Sequence, residues 1–158
     1  MKAVIQRVKD ASVTVDDIVK GKIESGLLVY LGVAHDDSEK EADWLSEKIV
    51  NLRIFNDSEG KMNLSLKDLN TNEIYSDFSG AKVLMISQFT LLADARKGRR
   101  PSWNGAAPPE KAKSLYEYFI KTIKNQGLVC KCGEFQAHMM VSYTNDGPVT
   151  IILDTKEN

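Results

Sequence analysis

The chain of 158 residues has few of the residues on which common enzyme chemistry depends. Its two histidines, His35 and His138, do not accompany a serine or cysteine in an arrangement typical of nucleophilic catalysis. Its two cysteines, Cys130 and Cys132, are too few for a metal site, and their spacing places them on one face of a strand, a poor geometry for a disulfide. We therefore expect free thiols, a reducing compartment and no metal or other cofactor.

Long apolar runs and an excess of charge of one sign are also missing. No apolar stretch has the length of a membrane span, and residues 1–7 follow a strand pattern rather than that of a signal peptide. The formal net charge of −1 gives no overall attraction to nucleic acid, so a polyanion would need a local patch. These absences predict a cytoplasmic protein without a membrane partner, folded as a single domain over residues 1–158.

The residues that are present show the periodicity of a mixed α/β domain. The apolar run 27–33 is typical of a strand covered on both faces, and a similar run at 81–90 predicts a second buried strand. Shorter strands are predicted at 4–8, 12–15, 18–23, 128–131, 139–144 and 149–154.

Two main helices are predicted from their end signals. Ser38 and Glu41 form a capping box at the start of the first helix, which ends near residues 52–53. Pro109 begins the second helix, whose apolar residues recur at helical spacing, and Gly127 ends it. The segments between elements are polar: a short irregular or one-turn helical piece at 63–70, an exposed excursion at 71–80, and a long loop at 94–108.

Polar residues interrupt the second apolar run at Ser87-Gln88-Phe89-Thr90, where the strand should leave the core. One interpretation is a strand end with side-chain hydrogen bonds. In the other, backbone N–H groups and the Gln88 amide surround a substrate carbonyl as an oxyanion hole. Thr90 is a candidate nucleophile, although the sequence identifies no base to activate it.

The step Gly147-Pro148 lies between the two closing strands. Glycine adopts backbone conformations that are closed to other residues, and proline fixes φ and permits a cis bond. One interpretation is therefore a tight turn that joins the strands. The other is a rigid backbone device that presents its groups to a ligand.

A basic run lies in the long loop, with Trp103 just beyond it. Its four cations, within five residues, are Arg96, Lys97, Arg99 and Arg100. The run is either a solvated surface loop or a local contact for a phosphate backbone, whose affinity would then depend on salt.

Taken together, these segments resemble the D-aminoacyl-tRNA deacylase family from residue 1 to about residue 154. Two segments resemble the family's signatures: Ser87-Gln88-Phe89-Thr90-Leu91 and Asn145-Asp146-Gly147-Pro148-Val149-Thr150. Residues 1–8, 26–33, 52–55 and 60–63 are also similar to the family. The resemblance implies a single α/β domain with β/β/α layers, in which two main helices pack on one side.

The resemblance also implies a function. The protein would hydrolyse the ester that joins a D-amino acid, or glycine, to the 3′-terminal adenosine of tRNA. It would be a homodimer in which Gly147-Pro148, with a cis bond, enters the pocket of the other subunit and excludes L side chains. Arg7 would hold the carbonyls of this step in place, and Met139 would contact the substrate.

For the chemistry, the resemblance implies that Phe89 N–H, with Gln88 and Ser87 nearby, stabilises the oxyanion. The nucleophile would be water assisted by the terminal ribose 2′-hydroxyl, and Thr90 would be a pocket wall. Arg96, Lys97, Arg99 and Arg100 would contact tRNA. Three features depart from the family pattern: Gln136 where a small residue is usual, Trp103 where phenylalanine is commoner, and a longer loop at 71–79.

Two other functions are compatible with the residues. One is a nucleic-acid-binding protein without enzymatic activity, in which the basic run matters and the pocket is vestigial. The other is an esterase that acts on small D-amino acid esters without tRNA.

Overall fold

The computed structural model describes residues 1–71 and 80–157, so most of the predicted excursion at 71–80 lies outside the described residues. The elements follow one another as β1 (Lys2–Val15), β2 (Ile18–Ile23), β3 (Gly26–Gly32), α1 (Glu39–Val50), β4 (Phe55–Asn56), β5 (Met62–Leu64), α2 (Leu66–Thr71), β6 (Lys82–Ser87), a 3-10 helix (Phe89–Leu92), α3 (Pro109–Asn125), β7 (Cys130–Cys132) and β8 (Met140–Asp154). The piece predicted at 63–70 is thus the end of β5 followed by α2.

One mixed sheet organises these elements. The order β2-β1-β3-β6-β7 contains parallel pairs β3–β6 and β6–β7, and β8 pairs with β1. The first half of β1 pairs with β3 and its second half with β2, whereas β8 follows β1 from Lys2 to Thr14. The sequence predicted two short strands in place of β1 and two in place of β8, and both predictions were wrong. In the structure each of these two predicted pairs of strands is one continuous strand, because the antiparallel pairing of β1 with β8 extends across the polar residues between them.

The alternation of side chains along β3 and β6 separates two cores. Leu27, Val29 and Leu31 face the helices and are buried with residues of α1 and α3. Leu28 faces the opposite side, where the second core joins Leu84 and Ile86 of β6 to Val8, Ala11 and Val13 of β1 and Ile23 of β2. The end of β1 and β2 therefore form a second β layer, and the predicted β/β/α architecture is confirmed.

The two main helices cover the same side of the sheet. In α1 the Glu41 Oε2 accepts a hydrogen bond from the Ser38 N–H at 2.8 Å, as the capping box predicts. The helix ends at Val50, slightly earlier than predicted, and the side-chain amide of Asn51 donates to the Glu47 carbonyl at 2.8 Å. In α3 the buried stripe includes Phe119. No helix in the described ranges is long and apolar enough to cross a membrane.

The two cysteines are free thiols, as the sequence predicted. Cys130 lies in the core beneath the helices, and burial raises the pKa of its thiol to about 12. The Cys130 thiol therefore stays protonated near neutral pH, which makes it a poor nucleophile.

We expect the Leu28→Ala variant to lose about 2–5 kcal/mol of the free energy of unfolding. Leu28 is fully buried in the core between the two β layers, so its removal leaves a cavity there. Urea unfolding measures the change. The matched control is Ile18→Ala, whose side chain is 61% exposed and whose loss should change stability by about 0.5 kcal/mol or less. Equal losses in the two variants would contradict the two-core description.

Candidate active site

A cavity of about 630 Å³ lies at the carboxyl end of β6, a volume suited to a small molecule or to the end of a larger one. Besides Leu31 and Val33 around the end of β3, Tyr116 of α3 and Val141 of β8, three segments contribute most of its lining. The end of β6 and its following turn contribute Ser87, Gln88 and Phe89; the loop before α3 and the start of that helix contribute Trp103, Ala106, Ala107, Pro109 and Ala112; and the segment before β8 contributes Phe135, Gln136, Ala137, His138 and Met139.

The strand predicted for 81–90 ends at Ser87, which is a correction to the sequence prediction. The Gln88 N–H still donates to the Leu31 carbonyl at 2.8 Å, but the chain then enters the 3-10 helix Phe89–Leu92. Gly32 on β3 allows this turn to pack closely. A Cβ atom there would lie 3.0 Å from the Gln88 carbonyl oxygen and 3.1 Å from Leu91 Cβ. The sequence analysis missed this role of Gly32, which lies unmarked at the end of an apolar strand.

The turn leaves backbone donors free beside the cavity. Phe89 and Thr90 are the first residues of the 3-10 helix, where N–H groups have no partner within a helix. Within residues 1–71 and 80–157, neither N–H has a hydrogen-bond acceptor. The side-chain Nε2 of Gln88 donates a hydrogen bond to Thr90 Oγ1. Thr90 does not line the cavity, in contrast to its expected role as a wall, and reaches it only through Gln88.

Aromatic side chains stand at the mouth of the cavity. The rings of Phe89 and Trp103 meet edge to face, with centroids 5.7 Å apart and planes at 66°. Phe89 is 56% exposed and Trp103 is 40% exposed, so both present apolar surface to solvent. Rings of this kind can stack on a nucleic-acid base.

The basic run is held next to this mouth by a short backbone bridge. Asp94 N–H donates to the Ser102 carbonyl at 2.7 Å, and Ser102 N–H donates to the Asp94 carbonyl at 3.0 Å. The loop between them is exposed, and Ser102 directly precedes Trp103. The bridge therefore fixes the position of both ends of the basic loop relative to the cavity.

The four cations of the run are not equivalent. Arg96 Nη2 lies 2.6 Å from Asp94 Oδ2, and this arginine holds the pKa of the Asp94 carboxyl well below its usual range. Lys97, Arg99 and Arg100 are exposed and have no ion-pair partner within the described parts of the chain. These three residues form the uncompensated positive surface of the loop.

Gly147-Pro148 is not a tight turn between two strands, so that interpretation was wrong. It lies in a bulge within β8: Thr150 pairs with Gln6 and Asn145 pairs with Val8, which sets residues 146–149 opposite Arg7 alone. The peptide bond between Gly147 and Pro148 is cis. Gly147 has φ of 123°, and a Cβ atom there would lie 2.8 Å from Val149 Cγ2, so only glycine fits without strain.

The Asn145 side chain closes the base of this bulge. Its Nδ2 donates to the Arg7 carbonyl at 2.9 Å and to the Val149 carbonyl at 3.1 Å. One carboxamide thus ties both ends of the bulge to β1. The sequence analysis quoted Asn145 in the signature without giving it a role, and its place directly before Asp146-Gly147-Pro148 was the available signal.

Arg7 lies beneath the bulge but does not bond its carbonyls as the resemblance implied. Its Nη1 donates to the Ile54 carbonyl at 2.6 Å, and its Nε lies 3.1 Å from Asp146 Oδ2. This contact is an ion pair without a hydrogen bond, and the buried Arg7 Nε has no hydrogen-bond partner among the described residues. Arg7 and Asp146 also line a second cavity of about 120 Å³. The guanidinium therefore supports the bulge through Asp146 and through packing on Gly147.

Within one chain the two signature segments lie far apart. Gly147 and Pro148 do not line the cavity that contains Ser87, Gln88 and Phe89. Ser87 is level with Leu31 on β3 and hence with Ala3 on β1, four residues from Arg7. That offset is about 13 Å along the strands, and three strand spacings add about 14 Å across the sheet. The separation is therefore about 20 Å.

The chain thus has a layered β/β/α fold with a cavity edged by free backbone N–H groups, which can stabilise an oxyanion. The chain belongs to the D-Tyr-tRNA(Tyr) deacylase family, whose sequence pattern it matches over residues 4–154. A D-aminoacyl-tRNA deacylase from Thermosipho africanus (strain TCF52B) is 55% identical over 157 residues, which is 99% of each chain. Another from Clostridioides difficile (strain 630) is 51% identical over 158 residues, covering 100% of this chain and 99% of that one.

Two solved structures share the fold of the chain. The structure named c-Myc DNA Unwinding Element Binding Protein is 38% identical, has a TM-score of 0.86, and is matched over 98% of this chain and 99% of its own. A probable eukaryotic D-amino acid tRNA deacylase shares the fold at a TM-score of 0.79 and 14% identity, covering 96% of this chain and 97% of that one. The predicted family, fold class and enzyme class are confirmed.

We expect Gly32→Ala to displace the turn 88–92 and to lower the free energy of unfolding by about 1–3 kcal/mol, because the new methyl meets the Gln88 carbonyl. Urea unfolding and amide hydrogen exchange of residues 88–93 measure the two effects. Gly105→Ala is the matched control, since its Cβ would meet nothing closer than the Leu92 carbonyl oxygen at 3.9 Å. If both variants behave alike, close packing at Gly32 does not position the turn.

Proposed function

We propose that the protein hydrolyses the ester bond of D-aminoacyl-tRNA, and of tRNA mischarged with glycine, to release free tRNA and the amino acid. The names of its relatives and its family membership support this substrate class. The cavity supports it too, because it offers an oxyanion site and aromatic surface for a terminal nucleoside beside a cationic loop. The proposal invokes no cofactor.

The observation that carries the proposal is that Gly147 and Pro148 do not line the cavity of the same chain. A chirality screen must touch the substrate, so the screen at each cavity comes from a second copy of the chain. The outer edge of β8 supports such a homodimer, because β8 pairs only with β1 among the described strands. Its exposed apolar side chains include Met140 at 63% and Ile152 at 71% exposure. These residues would become buried between two copies.

The screen acts by excluding one arrangement around the substrate Cα. The two enantiomers exchange the positions of the side chain and hydrogen, so a rigid backbone wall at the L side-chain position rejects L substrates by clash. A D side chain points out of the pocket and meets no such wall. Glycine has no side chain and passes the screen. The Asn145 bonds and the Arg7 packing give this wall the rigidity it needs.

The hydrolysis needs no protein base in this proposal. Water adds to the ester carbonyl carbon, and the Phe89 N–H stabilises the negative charge that develops on the carbonyl oxygen. The bond from that carbon to the ribose 3′-oxygen then breaks. The leaving oxygen gains a proton and the attacking water loses one, with the neighbouring 2′-hydroxyl assisting the transfer. Gln88, fixed by Thr90 Oγ1, borders the same site.

The basic loop supplies the contact with the tRNA backbone. Lys97, Arg99 and Arg100 are the free cations, whereas the Asp94 carboxylate offsets part of the charge of Arg96. Affinity for tRNA should therefore fall as the salt concentration rises, with a slope that corresponds to a small number of phosphate contacts.

A second candidate is a nucleic-acid-binding protein without turnover. One observation favours it: the relative of 38% identity is named for binding a DNA element. The two functions differ in what they bind and in whether they turn it over. Tight, salt-dependent binding of DNA or uncharged RNA, together with no loss of charged D-Tyr-tRNA, would favour this candidate.

We expect the protein to deacylate D-Tyr-tRNA at least about a hundredfold faster than L-Tyr-tRNA, since a backbone clash costs several kcal/mol. The charged fraction of each tRNA is followed over time at equal enzyme concentration. Free D-tyrosine methyl ester is the control for a simple esterase, which would hydrolyse it efficiently. Equal rates on the two enantiomers would contradict the chirality screen.

We further expect the screen to act between subunits. The Pro148→Ala variant should gain hydrolysis of L-Tyr-tRNA, because its wall is no longer held in place. The Phe89→Pro variant should lose hydrolysis altogether, because proline removes the N–H yet is tolerated at the first position of a helix. Phe89→Ala keeps that N–H and is the matched control for loss of the ring.

The Pro148→Ala chain is co-expressed with about a tenfold excess of the Phe89→Pro chain. Because the chains pair at random, most Pro148→Ala chains then form a dimer with a Phe89→Pro chain. The pocket of the Pro148→Ala chain is intact in that dimer, and the Phe89→Pro chain supplies an unaltered bulge to it. L-Tyr-tRNA hydrolysis per Pro148→Ala chain should then fall about tenfold while D-Tyr-tRNA hydrolysis per chain persists. Unchanged L-Tyr-tRNA hydrolysis per chain would show that the screen acts within one chain.

A further inference from the structure

The turn that leads into β8 contains a residue in an unfavourable backbone conformation. The Ala137 N–H donates to the Glu134 carbonyl at 3.2 Å, which closes a four-residue turn. Gln136, the third residue of the turn, has φ of 66°. Of the described non-glycine residues, only Asp16, Asp17 and Gln136 have a positive φ, so Phe135 does not and the turn is of type II. Glycine or asparagine is the residue expected at that position.

Nothing within the fold accounts for glutamine at this position. Its side chain is exposed, and its carboxamide has no hydrogen-bond partner in residues 1–71 and 80–157. A residue kept in a costly conformation without a structural contact is a candidate for a functional one. Gln136 also lines the large cavity.

The turn that contains Gln136 is held against α3 by aromatic packing. Phe135, directly before Gln136, packs against Tyr116 of α3 with ring centroids 5.9 Å apart. The Tyr116 hydroxyl donates to the Met85 carbonyl at 2.8 Å, which fixes that ring on the sheet. Gln136 thus follows a half-buried ring that packs on the buried Tyr116, and does not lie on a free loop tip.

The polar side chains among the residues that line the cavity are those of Ser87, Gln88, Tyr116, Gln136 and His138. Adenine presents a donor and an acceptor side by side, and a carboxamide matches both. Gln88 and Gln136 are the two carboxamides that line the cavity. Gln88 already donates to Thr90 Oγ1 and borders the proposed ester site. The loop before α3 contributes mainly apolar side chains, among them Ala106, Ala107 and Pro109.

We propose that Gln136 binds the edge of the 3′-terminal adenine of the substrate, with its side-chain oxygen accepting from the base amino group and its side-chain NH₂ donating to a ring nitrogen. The assignment rests on the proposed function. It makes Gln136 a specificity residue for the terminal nucleoside, while the Phe89 N–H serves the ester. The positive φ of Gln136 directs this carboxamide into the cavity at some cost in stability.

Two substitutions at this position separate the contact from the backbone conformation. Gln136→Ala removes the carboxamide and keeps a side chain for which positive φ is unfavourable. Gln136→Gly also removes the carboxamide, and glycine adopts positive φ without strain. We expect KM for D-Tyr-tRNA to rise about tenfold in each variant with kcat little changed. We expect the melting temperature of Gln136→Gly to exceed that of Gln136→Ala by about 2–4 °C.

The control for backbone relief is Asp17→Gly, in the turn between β1 and β2, where Asp17 has φ of 61°. This substitution should affect stability without a change in KM, because Asp17 does not line the cavity. Gln136→Asn retains a carboxamide and favours positive φ, so it should recover part of the lost affinity. A KM that follows the melting temperature across these variants would overturn the proposal.

A direct test uses two probes that lack the ester, 3′-(D-tyrosylamino)-3′-deoxyadenosine and its counterpart with hypoxanthine in place of adenine. Hypoxanthine presents a carbonyl where adenine presents its amino group, so the unaltered protein should bind the adenine probe about tenfold more tightly. Gln136→Ala should bind both probes equally. A base preference that survives Gln136→Ala would overturn the proposal. Loss of the proposed function would appear separately, as failure of the unaltered protein to deacylate D-Tyr-tRNA.

Discussion

The antiparallel ladder between β1 and β8 is the interaction on which the rest of the structure depends. It extends from the pair Lys2–Asp154 to the pair Thr14–Met140, so the first strand and the last one hold each other along nearly their whole lengths. β1 continues from the central sheet into the second β layer, and β8 follows it across both. The same ladder contains the bulge at Gly147-Pro148, in which residues 146–149 lie opposite Arg7 and depend on correct pairing at either side.

The bulge illustrates how backbone groups replace side-chain chemistry in this protein. Asn145 and Arg7 hold the Gly-Pro step from beneath, and Gly32 lets the turn after β6, which begins at Phe89 beside the cavity, approach the sheet. None of these residues is an acid or base that acts on a substrate. In the function proposed above, a chain with two histidines supports a hydrolytic site in this way, with preorganised dipoles and the substrate's own hydroxyl in place of a catalytic triad.

Part of the site could be predicted from the sequence and part could not. Ser87, Gln88, Phe89 and Met139 were predicted as site residues, and all four line the cavity. The position of Thr90 could not be read from a pattern, because Thr90 lies in the 3-10 helix and not in the predicted strand, and it does not line the cavity. The ion pair between Arg96 and Asp94 could not be predicted either. In the sequence Asp94 is one carboxylate among several in loops, and its position is defined only by the backbone bridge to Ser102.

The sequence by itself determined the layers, because alternating apolar residues in β3 and β6 require cover on both faces and the stripes of α1 and α3 provide it on one. It also determined the family through segments spread along the chain. Only the tertiary structure decided that Gly147-Pro148 belongs to one continuous strand and lies about 20 Å from its own chain's cavity. The physical reason is that strand continuity and distance arise from pairing between residues far apart in sequence, which local periodicity does not record.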